Sequence, residues 1–276
     1  PDSAPRFPPT VGRKGEGPGE YRFLIALRAG AGDTVHVFDN SLARRTVLSE
    51  TLEPVRTTRL VSNAYFAVQP LDGDRLLVNA HIPTRERIGI PLHVLGPDGS
   101  VLRSFGTDEP EPSRFMADVN LRVLGPVRDG RFWAAHRTRY QLELWDVEGN
   151  KLRELERPVD WFQPHGNTVR ADQNSPPKPF IAALHEDGEG LLWVTLWVAK
   201  ANWREAPVRT GTLQGRTMLR GGTPRDTRDV VIEVIDPRSG RLVTRARFPE
   251  ALQDFAEDGL TYSYRETAEG VPQIDV

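Results

Sequence analysis

Seven residues whose types could act together sit at one recurring place in the sequence. Asp39, Asn79, His81, His136, Arg137, Trp197 and Arg265 each fall at or just past the end of a short apolar run that follows a turn signal. Asp and Asn oxygens in such a set would suit a hard cation such as Ca²⁺. His and Arg would suit a polar or anionic ligand. The plainer reading is that short polar residues at strand ends satisfy turn backbone. Both readings stand on the sequence alone.

Other chemistry finds less footing. The six histidines include no H-x-H and no H-E-x-x-H, and there is no cysteine. Disulfides, thiolate metal sites and a cysteine nucleophile are therefore excluded. No serine lies in G-x-S-x-G, so a hydrolase nucleophile elbow is unsupported. The acidic run "EDGEG" (186–190), beside His185, lacks the D-x-[DN]-x-[DN]-G pattern of a calcium loop and reads as a hairpin turn. His36 and His93 lie inside alternating runs and read as surface or half-buried strand residues.

The elements that must position these residues are strands. Amphipathic helical periodicity is almost absent, and 23 prolines interrupt the candidate runs. Short β-rich runs recur instead: "DTVHVFD" (33–39), "DRLLVNAHI" (74–82), "GRFWAAHR" (130–137), "GLLWVTLWV" (190–198) and "GLTYSYRE" (259–266). Each begins at a glycine–acid pair, which makes a tight hairpin turn because glycine takes φ > 0 without steric cost. An apolar run precedes each, and further strand–turn–strand segments such as "LELWDVEGNKLRELE" follow.

The pattern repeats about every 40 to 70 residues, a spacing that signals a repeat architecture. Four short antiparallel strands joined by tight turns make a propeller blade. The predicted fold is an all-β propeller, with five units at about 21–60, 64–106, 120–157, 180–248 and 249–276. The last has three strands and lacks its outermost. The strand-like piece "RFPPTVG" (6–12) has no unit before it and is expected to close the ring, which would remove an exposed sheet edge. The whole chain, 1–276, reads as one propeller domain.

The stretch "TVGRKGEGPGEYRF" (10–23) tests the main rival reading, a phosphate-cradling loop. A Walker loop needs G-x-x-x-x-G-K-[ST] opening a helix. Here Lys14 precedes Gly15, no Ser or Thr follows it, and a strand comes next. The stretch is expected to be a structured connector, its path permitted by Gly15, Gly17 and Gly19 and stiffened by Pro18. Glu16 and Glu20 are expected to bond backbone N–H groups or nearby arginines. Glu16 is also a candidate to face a ligand at the channel mouth.

The segment "VGRKGEGPGEYR", turn-flanked strands such as "DGRFWAAH" and the closing "GLTYSYRETAEGVPQIDV" resemble the six-bladed NHL/TolB-like propellers of bacterial cell-envelope proteins. The resemblance covers essentially the whole chain. It implies six blades in the parent protein, with another blade ahead of the GEGPGE segment. It also implies a secreted, periplasmic or envelope-anchored location. Propeller lactonases place an acidic residue and Asn around a central divalent ion, and Glu16, Asn79 and Asp39 are the candidates for those roles.

One segment breaks the repeat. Residues 199–229 lie between two strands of the fourth unit and hold seven Lys/Arg against three Asp/Glu. A connection this long in a compact domain is functional or disordered. It is read either as a basic lid or docking arm carrying Trp203, Arg204, Arg209, Arg216 and Arg220, or as a solvated loop. Trp161 and Phe162, in the connector 157–179, are expected to add exposed aromatic anchors if they face outward.

Composition sets the outer bounds. A net charge of −2 gives no global basic field for nucleic acid, and no apolar run approaches the ~20 residues of a membrane span. The leading expectation is a non-enzymatic, monomeric scaffold that binds a protein, peptide or glycan through loops on one face, with no cofactor. The alternative is a metal-dependent propeller hydrolase, lactonase or lyase with a divalent ion near the axis.

Overall fold

The computed structural model describes residues 11–107, 120–166, 175–206, 209–213, 216–220, 224–249, 252–255, 259, 261–266 and 272–275. Its contacts gather into two compact units, Pro1–Phe115 and Met116–Val276. The expected closing strand at 6–12 lies mostly outside the described residues.

The first unit opens with two short strands, β1 (Arg13–Lys14) and β2 (Glu20–Tyr21), paired in parallel. Two four-stranded antiparallel meanders follow. One contains β3 (Leu24–Ala29), β4 (Val35–Asp39), β5 (Arg44–Leu48) and β6 (Pro54–Arg59). The next contains β7 (Tyr65–Pro70), β8 (Leu76–Ala80), β9 (Leu92–Leu95) and β10 (Val101–Phe105). The glycine–acid pairs make the turns that the sequence predicted. Gly32–Asp33 and Gly73–Asp74 both have two successive positive φ angles, the backbone that a two-residue hairpin needs.

Burial explains why the sequence looks apolar where it does. β8 and β9 are buried at every position, because both faces of a middle strand are covered. The outermost strand β6 is almost wholly exposed and carries Arg56, Thr57, Thr58 and Arg59. Phe38, Leu60, Tyr65, Val68, Leu76, Val78 and Leu95 form the core between the two blades. Each such fully buried side chain contributes about 1.5–3 kcal/mol by leaving water. Arg45 of β5 adds a polar tie, donating to the Asp74 carboxylate (3.0 Å) and the Asp74 carbonyl (3.1 Å) in the next blade.

The second unit holds a meander of β11 (Arg122–Leu124), β12 (Arg131–His136), β13 (Gln141–Asp146) and β14 (Lys151–Glu156). The next sheet is ordered β15 (Phe180–Glu186), β16 (Leu192–Ala199), β19 (Arg228–Asp236), β20 (Arg241–Phe248). Between β16 and β19 the chain leaves the sheet and forms a separate two-stranded ribbon, β17 (Arg209–Leu213) with β18 (Arg216–Arg220). Residues 199–229, read from the sequence as a lid, a docking arm or a solvated insertion, thus carry a strand pair of their own that the sequence reading did not foresee. "RTGTL" and "RTMLR" alternate only weakly in hydrophobicity, so their period-2 signal was faint. The last sheet has three strands, β21 (Leu252–Phe255), β22 (Thr261–Glu266) and β23 (Pro272–Asp275), as the sequence predicted. The core here runs between the β11–β14 sheet and the β15-β16-β19-β20 sheet, through Trp133, Tyr140, Leu142, Ile181, Leu184, Val194, Leu196 and Val231.

Candidate functional site

The opening loop resolves into a turn tied by one carboxylate. Glu20 Oε2 accepts from the backbone N–H of Glu16 (2.9 Å) and Gly17 (2.8 Å), and Glu20 Oε1 accepts from Arg13 Nε (2.7 Å). The Gly17 hydrogen bond is the largest cause holding the Glu20 carboxyl below its ordinary range, followed by Arg13. A Cβ on Gly15 would meet the Glu20 carboxylate, which would have to shift from this position to admit it. Arg44 donates to the carbonyls of Glu16, Gly17 and Glu20 from outside. Glu16 itself is exposed and pairs with Arg22 (2.6 Å). The stretch is a tied turn leading into β3, in which Glu20 bonds backbone N–H groups and an arginine as expected.

In the first unit two of the strand-end candidates, Asp39 and Asn79, are turned to backbone groups. Asp39, 1% exposed, accepts from the N–H groups of Arg22, Phe23 and Leu42 (2.6, 3.2 and 3.1 Å). Asn79 donates to the Pro91 carbonyl at 2.8 Å. His81 is buried just past β8, and burial lowers its pKa. Nearby His93 is fully buried, not half-exposed as its alternating strand suggested. It donates from Nε2 to the Ala80 carbonyl (3.2 Å) and accepts at Nδ1 from Ser104 Oγ (2.8 Å). Burial pushes its pKa down to about 4, against upward help from the Ala80 and Ile90 backbone.

In the second unit two buried carboxylates, unforeseen in the sequence, organise the blades. Glu143 on β13 lies within 3.5 Å of Arg122 Nε, His136 Nε2 and Lys151 Nζ, and accepts from Trp145 Nε1 at 3.2 Å. Burial alone would raise its pKa; hydrogen bonding to His136 and the Arg122 charge outweigh it, to about 2. Candidate His136 is thus a polar partner of this buried carboxylate, and burial lowers its pKa.

Glu233 on β19 is 0% exposed. Its Oε2 accepts from Tyr140 Oη (2.5 Å) and Arg157 Nε (2.8 Å), and its Oε1 from Arg245 Nε (2.7 Å). Burial works against ionisation, and the three donors outweigh it to keep the carboxyl below its ordinary range. The sequence signal was a lone charge in the apolar run "VVIEVI", but its partners lie far away along the chain.

A third cluster brings two predicted residues together. Phe180, at the start of β15, stands opposite Trp197 on β16, with ring centroids 5.6 Å apart. The Arg137 guanidinium lies 4.6 Å from the Phe180 ring centroid, and that of Arg228 lies 5.2 Å away. The backbone joins the same place, where Ile181 N–H donates to the Arg137 carbonyl at 3.0 Å. Sequence reasoning placed Arg228 inside the insertion and so missed it. Its pairing with Ala199 makes it the first residue of the next strand.

Beside this blade lies a cavity of about 600 Å³ lined by Trp161, residues 175–179, Val198, Ala199, Val231, Arg245 and Arg247. Trp161 is 37% exposed and faces the Arg245 guanidinium at 5.2 Å. Phe162, by contrast, is 2% exposed and packs in the core against Tyr140, so it is no surface anchor. Trp203 is half-buried with Arg204 stacked on it at 4.7 Å. The side chains of Arg209, Arg216, Arg220 and Arg265 lie outside the described residues; their backbones belong to β17, β18 and β22.

No protein-family model and no curated protein matches the chain. Solved structures match it in fold. A member of the DUF4221 family from Bacteroides vulgatus overlaps with a TM-score of 0.59 at 9% identity, over 96% of this chain and 82% of that one. A candidate exported protein from Bacteroides fragilis overlaps with a TM-score of 0.53 at 12% identity, over 93% and 70%. The WD40 propeller domain of Doa1 overlaps with a TM-score of 0.49 at 12% identity, over 91% of this chain and 62% of that one. At these identities the likeness concerns fold alone. With its repeated four-stranded antiparallel sheets, the chain has the β-propeller fold. No described helix is long and apolar enough to cross a membrane.

Proposed function

We propose that this propeller is a non-enzymatic binding platform that holds a protein, peptide or glycan ligand in the cavity of the second unit. The observation behind this reading is the cavity itself. Its volume falls in the range of ligand pockets, and its wall is apolar with a few fixed polar groups. Trp161 offers an aromatic face. Arg245 and Arg247 are held in place by Glu233 and Asp229, so a ligand need not order them. Exposed Lys178 adds a third cation at the rim. An acidic peptide with apolar side chains, or an anionic sugar, fits this mixture.

Six blades of NHL/TolB-like type in the parent protein, and an envelope or secreted location, belong to the same reading and rest on the sequence resemblance. A docking role for the β17–β18 ribbon with Trp203 and Arg204 belongs to it too, on the length and basic composition of 199–229. Glu16, exposed beside Arg22, stays a candidate contact at the loop end of the first unit. The hydrolase, lactonase or lyase alternative finds no observation in its favour: among the described residues no three His, Asp or Glu side chains gather as metal ligands.

The test is an array of defined glycans and of acidic, apolar peptides, probed with wild-type protein and with Trp161→Ala. Loss of a central aromatic anchor costs ~2 kcal/mol or more, so true cavity ligands should weaken by about 30-fold. Leu102→Ala, an exposed change in the first unit, should leave them unaffected. Hits that bind the Trp161 variant as well as wild type refute the assignment.

A further inference from the structure

We propose that the β17–β18 ribbon is a strand-addition site, at which an extended acidic segment of a partner protein pairs as a third strand. This role rests on the docking function given to the ribbon above and names its partner. The blade edges show what sets the ribbon apart. Each of the four-stranded sheets bends its outermost strand with a bulge: the register skips Val55 on β6, Leu102 on β10, Leu152 on β14 and Val243 on β20. A bulge leaves one residue unpaired and kinks the strand, which keeps a free edge from accepting another chain.

The ribbon has no such guard. Its register runs unbroken from Arg209 opposite Arg220 to Leu213 opposite Arg216, and among the described residues no further strand pairs with either edge. A lone two-stranded hairpin is marginally stable in water, and further strands stabilise it. The last sheet also ends in an unbulged strand, β23, but there Pro272 lacks an N–H donor and Asp275 would repel an acidic partner.

Charge identifies the kind of partner. Residues 209–220 hold Arg209, Arg216 and Arg220 and no Asp or Glu. The period of two places all three arginines on one face of the ribbon, with Arg209 directly opposite Arg220. Like charges so placed destabilise the strand pair, and acidic residues on an added strand would offset them. The other face carries Thr210, Thr212, Thr217 and Leu219, which suit β-branched neighbours. The fitting segment therefore alternates acidic and β-branched residues. Its backbone hydrogen bonds supply affinity and its alternate side chains supply specificity.

The test is fluorescence polarisation of a labelled peptide of alternating glutamate and threonine, titrated with the full chain. Saturable binding is expected. N-methylation of every peptide nitrogen removes the backbone donors and keeps every charge, and it should weaken binding about tenfold or more. Arg209→Ser combined with Arg220→Ser should weaken the unmodified peptide to a similar extent, while Trp161→Ala in the cavity should leave it unchanged. Equal affinity of the methylated peptide would overturn strand addition and leave a purely electrostatic docking role. Loss of binding in the Trp161 variant but not in the arginine variant would place the peptide in the cavity and overturn the assignment to the ribbon. Absence of saturable binding to wild type overturns both the strand pairing and the docking role, and leaves the cavity reading to its own test.

Discussion

Replacing Glu233 by Gln keeps the shape of the side chain and removes its charge. Three donors then lose a carboxylate: Tyr140 Oη at 2.5 Å, Arg157 Nε at 2.8 Å and Arg245 Nε at 2.7 Å. Removing one partner of a buried ion pair costs about 3–5 kcal/mol when the other stays buried. Here the Arg157 and Arg245 side chains are 21% and 40% exposed, so both can recover part of their hydration. The glutamine oxygen can still accept one bond. The expected loss is therefore at the low end, about 2–4 kcal/mol. Tyr140→Phe removes one charge-assisted bond and leaves both arginines paired, for about 1.5–3 kcal/mol. Arg245→Met, at the exposed edge, should cost least, about 1 kcal/mol. Urea unfolding followed by tryptophan fluorescence ranks the three, because Trp161 stands over Arg245 and Trp133 lies in the same core. The order Glu233→Gln, Tyr140→Phe, Arg245→Met is expected. A Glu233→Gln midpoint equal to wild type would refute the reasoning that this carboxylate holds the two sheets together.

Further outcomes follow from other sites. His93 has a folded pKa of about 4 against an ordinary 6.5, so the unfolded chain binds more protons between these values. Its stabilisation is complete above pH 6.5 and is lost as pH falls through 4, amounting to about 3 kcal/mol. His93→Gln should flatten the slope of unfolding free energy across pH 4–6.5, and an unchanged slope would reject the assignment. Glu143, held at about 2 against an ordinary 4.5, contributes above pH 4.5 and loses its effect as pH falls towards 2. Glu143→Gln should therefore lower stability at pH 7 but much less at pH 3, measured as the difference in urea midpoint. Gly99 has φ +81, and a Cβ there would lie 2.3 Å from the Arg59 carbonyl. Gly99→Ala should cost about 1–3 kcal/mol, read as a drop in melting temperature.

What the sequence revealed and what it hid divide along one physical line. Strand positions and turns are set by neighbours along the chain, so blade limits such as 64–106 and the short final sheet could be read from local alternation and the glycine–acid pairs. Asp39 and His136 were found at strand ends for the same reason. Their roles were not legible, since what Asp39 holds is the N–H of Arg22 and Phe23, brought close only by the register of β3 on β4. Glu233 meets Tyr140 across 93 positions and Arg157 across 76, which no local pattern encodes. Arg228 was hidden by composition: it closes a basic segment, and only pairing with Ala199 shows where that segment ends. Phe162 misled because one aromatic in the "WF" pair reaches the surface and the other does not.

The β17–β18 ribbon leaves the fourth blade at Ala199 and returns at Arg228, and those two residues are themselves a rung of the ladder. The sheet is thus complete beneath the excursion and does not depend on it for hydrogen bonds. Because the entropy of closing a loop grows only with the logarithm of its length, such a position tolerates great variation in what it carries. It is a natural socket: a place where evolution, or a protein engineer, can exchange one appendage for another while the surrounding architecture stands unaltered.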